Sequence, residues 1–121
     1  MAKILVVDDA AGIRNQVSTF LSEKGYTVIA AEDGADGLKK LRENPEVSLI
    51  VSDVNMPGMD GITMVESIRK DLGNTTVNVL MLTTERRPDL KERAKAAGVK
   101  GWLVKPFNGD ASLPLIQKLV G

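Results

Sequence analysis

This sequence of 121 residues contains no cysteine and no histidine. Without cysteine there is no disulfide framework, no thiolate zinc site and no cysteine nucleophile, a composition that suits a reducing compartment. Without histidine the commonest general base at neutral pH is missing. That excludes a Ser/His/Asp triad, a His metal ligand and a phosphohistidine formed on this chain. Net charge is missing too. The 16 Lys plus Arg balance 16 Asp plus Glu, so no electrostatic footprint over the whole surface points to nucleic acid or an anionic membrane. The apolar stretch near the N-terminus meets Asp8 and Asp9 too soon for a signal peptide or a membrane span. The expectation is a cytoplasmic monomer that binds neither nucleic acid nor membrane. Linker, low-complexity tract and internal repeat are also lacking, which points to a single domain over residues 1–121 with one hydrophobic core. Any chemistry must run on carboxylates, hydroxyls and amines.

What is present is an alternation of short apolar runs and amphipathic stretches. The runs fall at residues 4–7, 27–30, 47–51, 77–82 and 102–104, and most are near-continuous, as strands buried on both faces of a parallel sheet are. Between them, Ile13, Val17, Phe20 and Leu21 share one helical face, as do Ile62, Val65, Ile68 and Leu72. Gly25 and Gly98 are placed to end helices, Asp33 to cap the second helix and Pro88 to open the fourth. Gly109 and Pro114 predict a fifth helix that starts late, with Pro114 near its first turn. Five strands alternating with five helices imply right-handed crossovers and an α/β, flavodoxin-like, doubly wound parallel sheet of order 2-1-3-4-5. Ligands then bind at the carboxyl ends of strands 1 and 3, where the winding reverses.

Those ends are where the polar residues stand. Strand 1 runs into Asp8 and Asp9, strand 3 into Asp53, strand 4 into Thr83 and strand 5 into Lys105. Taken singly, the acidic pair reads as helix capping, Thr83 as a β-branched strand residue and Lys105 as a surface lysine. At matching strand ends they form one site. Converging carboxylates repel one another and call for a hard divalent cation, and carboxylates with a backbone carbonyl and waters are the oxygen set that Mg2+ takes. Asp9 and Asp53 read as direct ligands, Asp8 as a ligand through water and Asn55 as the carbonyl donor. Thr83 stands one strand from Asp53 and Lys105 two, within reach of a four-carbon stem. A carboxylate beside Mg2+, an ammonium and a hydroxyl is equipped to take a phosphoryl group, and Asp53 is the expected nucleophile.

The pair Asp8-Asp9, the run Ser-Asp-Val-Asn-Met-Pro-Gly-Met-Asp-Gly over 52–61, Met-Leu-Thr-Thr-Glu over 81–85 and Gly-Trp-Leu-Val-Lys-Pro-Phe over 101–107 resemble the receiver domain of bacterial two-component response regulators. Within that family the chain looks like the single-domain chemotaxis proteins of the CheY type. CheY itself has the 2-1-3-4-5 strand order, so topology and resemblance are one expectation. The resemblance implies that Asp53 accepts phosphate from a sensor histidine kinase of CheA-like kind, with Mg2+ on Asp8, Asp9, Asp53 and the Asn55 carbonyl. Thr83 and Lys105 would read the phosphate. Trp102 stands at the position of a switching aromatic, and the face of helix 4, strand 5 and helix 5 would meet a flagellar motor switch or another effector. A cis peptide before Pro106 is a further implication.

Some positions depart from the pattern. Ala10 and Ala11 leave the pocket mouth less covered, and Val54 replaces a tryptophan found in close chemotaxis relatives. Asn55 and Glu85 match the chemotaxis pattern at positions that tune hydrolysis, which implies a short-lived acyl phosphate. Two alternatives are weighed against this switch. An aspartyl phosphatase of the haloacid dehalogenase type needs an acidic residue two after the nucleophile, where this chain has Asn55. A receiver cut from a DNA-binding regulator would be followed by a basic helix-turn-helix segment, and none follows Phe107. The expected role is a phosphoacceptor switch, not an enzyme with multiple turnover.

Overall fold

The computed structural model describes residues 2–121. Along the chain run β1 (Lys3–Val7), α1 (Ala11–Glu23), β2 (Thr27–Ala31), α2 (Gly34–Glu43), β3 (Leu49–Ser52), α3 (Gly61–Lys70), β4 (Asn78–Thr83), α4 (Pro88–Ala96), β5 (Gly101–Val104) and α5 (Gly109–Leu119). The strands form one parallel sheet in the order β2-β1-β3-β4-β5, as expected. The direction of winding across the sheet reverses between the neighbours β1 and β3, so their carboxyl ends border the crevice.

The period of two along each strand divides the apolar side chains between two layers. Leu5, Val7, Ile50, Val79 and Met81 pack with Leu41 of α2, with Ile62, Val65 and Ile68 of α3 and with Ala94 of α4. Ile4, Val6, Leu49, Val51, Leu80 and Leu82 pack on the other face with Val17 and Leu21 of α1 and with Ile116 and Leu119 of α5. The expected single core is thus two clusters separated by the sheet. Continuous burial holds for the central strands β1, β3 and β4, but edge strands β2 and β5 are only partly covered, and Val104 is exposed. An edge strand has a neighbour on one side only, and fewer helices reach over it.

Helix ends follow local chemistry. Asp33 accepts from the Asp36 N–H at 2.8 Å to cap α2, Pro88 opens α4, and Gly25 and Gly98 leave α1 and α4 with φ of 93° and 86°. Leu72 lies beyond α3 yet still packs on the first cluster. Helix α5 corrects an expectation: it does not start late. The Asn108 side chain caps it by accepting from the Ala111 N–H at 3.1 Å, so the helix begins at Gly109 and Pro114 lies in its interior, in the second turn. A side-chain cap at Asn108 satisfies the first turn before the proline is reached, and the exposed Pro114 sacrifices one interior hydrogen bond. The peptide Lys105-Pro106 is cis.

Candidate functional site

Each strand of the sheet's middle ends by handing its next residue to the crevice. Val7 pairs with Ser52 in register, so Asp8 and Asp53, one residue further on, emerge side by side. The ladder continues past the strands: the Asp53 N–H donates to the Val7 carbonyl at 3.0 Å, Asp8 N–H to that of Ala31 at 3.1 Å, and Lys105 N–H to that of Thr83 at 2.9 Å. Functional residues are thereby fixed by sheet hydrogen bonds although they lie outside the strands.

Asp8 and Asp53 are both buried, at 2% and 7% of full exposure. Two buried carboxylates in one crevice require a countercharge. Lys105 supplies it, its Nζ donating to Asp53 Oδ2 at 2.8 Å and lying 3.0 Å from Asp8 Oδ2. Burial of the ammonium pushes its pKa down. The hydrogen bonds and charges of Asp53 and Asp8 together push harder, so Lys105 titrates above the ordinary lysine value. Asp9 is exposed at the rim, and carboxylate oxygens of Asp8, Asp9 and Asp53 lie within 4.8 Å of one another. An all-carboxylate oxygen set of this kind fits Mg2+.

The Asp53 carboxylate is oriented from behind. Its Oδ1 accepts from its neighbour's amide, Val54 N–H, at 2.7 Å and from Asn55 N–H at 3.4 Å, while the Ser52 hydroxyl donates to the Asp53 carbonyl at 2.8 Å. The loop that follows folds back tightly, Gly61 N–H donating to the Val54 carbonyl at 2.8 Å, and a Cβ on Gly61 would lie 2.0 Å from the Asp53 carbonyl oxygen. Only glycine permits that approach. Asp60 then caps α3 through the Thr63 N–H at 2.8 Å. On the other side, Arg14 of α1 donates to the Asp8 carbonyl at 2.7 Å, and Asp8 Oδ1 accepts from Ala10 N–H at 2.9 Å.

Thr83, fully buried at the end of β4, makes no hydrogen bond to Asp53; its hydroxyl accepts from the Glu85 N–H at 3.1 Å. Glu85 is a junction. Its carbonyl accepts from Trp102 Nε1 at 2.9 Å, its Oε1 from Asn55 Nδ2 at 3.3 Å, and its Oε2 from the amides of Arg86 and Arg87 at 3.1 Å each. The Arg87 amide first, then the Asn55 side chain, hold the Glu85 carboxyl below the usual range. Trp102 is half-buried on β5, with Lys91 over its ring at 5.7 Å.

Every candidate site residue named from the sequence therefore lies at or reaches this end of the sheet. Asp8, Asp9, Asp53 and Lys105 converge directly, and Thr83, Glu85, Asn55 and Trp102 form a hydrogen-bonded chain beside them. Arg14, Ser52 and the amides of Val54 and Asn55 were not anticipated. Backbone donors leave no trace in residue identity, and Arg14 reads in sequence as a polar helix position. Ala10 and Ala11 are exposed at the mouth, and Val54 is buried in the first core cluster, away from solvent.

A family model described as the response regulator receiver domain matches residues 4–117. The chemotaxis protein CheY of Pseudomonas aeruginosa is 37% identical over 118 residues, covering 97% of this chain and 94% of that one. The structure of chemotaxis protein CheY4 of Vibrio cholerae is 44% identical and covers 98% of both chains with a TM-score of 0.90. A structure of a CheX–CheY–BeF3–Mg complex from Borrelia burgdorferi is 25% identical, covers 99% of this chain and 90% of that chain, and has a TM-score of 0.89.

Proposed function

We propose, from the premise that this chain belongs to the response regulator receiver domain family and is homologous to the CheY chemotaxis proteins, that Asp53 accepts a phosphoryl group from a sensor histidine kinase and so changes what the α4–β5–α5 face binds. One observation carries the reading: the Lys105 ammonium bridges two buried carboxylates, with a third at the open rim. A structural ion pair needs one carboxylate, not three.

In the proposed step a carboxylate oxygen of Asp53 attacks phosphorus, the P–N bond of the donor phosphohistidine breaks, and its electron pair returns to the imidazole nitrogen. The product is an acyl phosphate. Val54 N–H holds Oδ1 and so fixes the plane of the attacking group. Lys105, on a flexible stem, offsets the carboxylate charge before transfer and follows a phosphoryl oxygen after it. Mg2+ held by Asp8, Asp9, Asp53 and the Asn55 carbonyl would neutralise charge on the transferring group.

The signal leaves through Glu85. A Thr83 hydroxyl that turns to the phosphoryl group abandons the Glu85 N–H, and Glu85 is the residue whose carbonyl holds the Trp102 indole. Thr83 and Trp102 are thus joined through one residue of the β4–α4 loop. Hydrolysis is fast because exposed Ala10 and Ala11 leave the mouth open to water and Asn55 with Glu85 borders it. On this reading the 1–121 chain acts as one receiver unit, its kinase CheA-like and its target a motor switch or another effector.

Incubation with Mg2+ and acetyl phosphate tests the reading. Intact mass should rise by one phosphoryl group, not at all in Asp53→Ala, and the emission of Trp102, the single tryptophan, should change with it. Labelling that persists in Asp53→Ala places the acceptor elsewhere. Steady turnover of a small phosphomonoester would favour the phosphatase alternative.

A further inference from the structure

At the opposite end of β4 from Thr83 lies a second concavity that phosphotransfer does not use. It is an open groove of about 550 Å³ between α3 and α4, floored by Val77 and Asn78 at the start of β4. Five residue steps separate Asn78 from Thr83, roughly 16 Å along the strand. Its volume is in the range of sites for small molecules.

Its charge is out of proportion to a protein with equal numbers of acids and bases. Arg69, Lys70, Arg93 and Lys100 line it against one acid, Glu66. Glu66 is already paired with Arg93 at 2.6 Å. That leaves Arg69, Lys70 and Lys100 facing one groove with no carboxylate partner among the described residues.

Arg69 is the built part. Its Nε donates to the Ala97 carbonyl at 3.0 Å and its Nη1 to those of Val77 and Asn74 at 2.7 Å and 3.3 Å. Three carbonyls hold the guanidinium rigid without neutralising it, and Nη2 has no hydrogen-bond partner among the described residues. Gly98 keeps that nitrogen accessible, since a Cβ there would stand 3.3 Å from Nη2. A fixed guanidinium edge with two flexible ammonium groups beside it matches an anion that presents several oxygens on adjacent phosphorus centres, the guanidinium orienting one phosphate and the lysines following the other.

We propose that this groove binds a small di- or polyphosphate anion, through Arg69 Nη2, Lys70 and Lys100. The site is independent of Asp53, and its occupancy ties the end of α3 to the turn that leads into β5.

Titration of the metal-free protein of residues 1–121, 15N-labelled, with sodium pyrophosphate followed by NMR provides the test, with ATP and adenosine as further arms. Saturable shifts are expected at the amides of residues 74–77, 98 and 100 and at the Arg69 Nε–H, unchanged in Asp53→Ala. Lys70 and Lys100 are exposed, so the double variant Lys70→Ser/Lys100→Ser should fold normally and raise the pyrophosphate Kd at least tenfold. Adenosine should be silent. Tighter binding of ATP than of pyrophosphate identifies a nucleotide as the source, and equal binding a free polyphosphate. Unsaturable shifts spread over all lysines, an unchanged Kd in the double variant, or a response to hexaglutamate but not to pyrophosphate each overturn the proposal, the last in favour of an acidic protein partner.

Discussion

Lys105 faces two demands that pull the same way. It must satisfy Asp8 and Asp53 while no other cation is present, and it must stand close enough to Asp53 to meet an incoming phosphoryl group. Replacing it with Met removes the countercharge from two buried carboxylates. Breaking a fully buried pair costs about 3–5 kcal/mol, and the partial solvent access of Lys105 reduces this to about 1–3 kcal/mol. The expected outcome is a lower Tm for Lys105→Met in EDTA, with a larger gain from added Mg2+ than the parent shows; calorimetry with and without the ion measures both. An unchanged melt in EDTA would mean that the ion pair holds nothing together. The residue identities were readable because acids, threonine and lysine each follow an apolar run. The contact of Thr83 with the Glu85 amide was not, because local backbone geometry at the end of β4 offers the hydroxyl a nearer partner than the neighbouring strand does.

Elements carry their own predictions. The turn between β3 and α3 brings the Asp53 carbonyl so close to Gly61 that Gly61→Ala must displace one or the other. A loss of about 1–3 kcal/mol is expected in denaturant unfolding, together with slower labelling of Asp53 by acetyl phosphate. Normal stability with normal labelling would contradict the close packing. Helix α5 offers the opposite sign. An interior proline costs about 3 kcal/mol relative to alanine, offset by up to about 1 kcal/mol of unfolded-chain entropy that proline removes. Pro114→Ala should therefore stabilise the protein by about 2 kcal/mol, seen as a raised midpoint in urea. Proline and glycine together suggested a delayed start for this helix. Asn108 settled it, because a side-chain cap has its effect through hydrogen bonds that depend on loop geometry.

For the molecule as a whole, the folded state is the only one that gathers Asp8, Asp9 and Asp53, since the unfolded chain scatters acids 45 positions apart between Asp8 and Asp53. Mg2+ should then stabilise the fold by mass action, by about 2.7 kcal/mol at a concentration one hundred times its Kd and visible as a raised Tm, and Asp9→Asn with Asp53→Asn should remove most of that gain. An equal shift in that double variant would locate the ion elsewhere.

The sequence by itself determined the alternation of strands and helices and placed an acid, a hydroxyl or an amine after strands 1, 3, 4 and 5, because hydrophobic period and strand ends are local properties of the chain. It also determined the strand order, through its likeness to a known family. Only the tertiary structure decided the rest: that the core is two layers, that Lys105 spans to both Asp53 and Asp8, that Glu85 links Thr83 to Trp102, and that Arg69, Lys70 and Lys100 share a groove. These depend on distances between residues far apart in the chain, and packing and electrostatics fix such distances only after the sheet has formed.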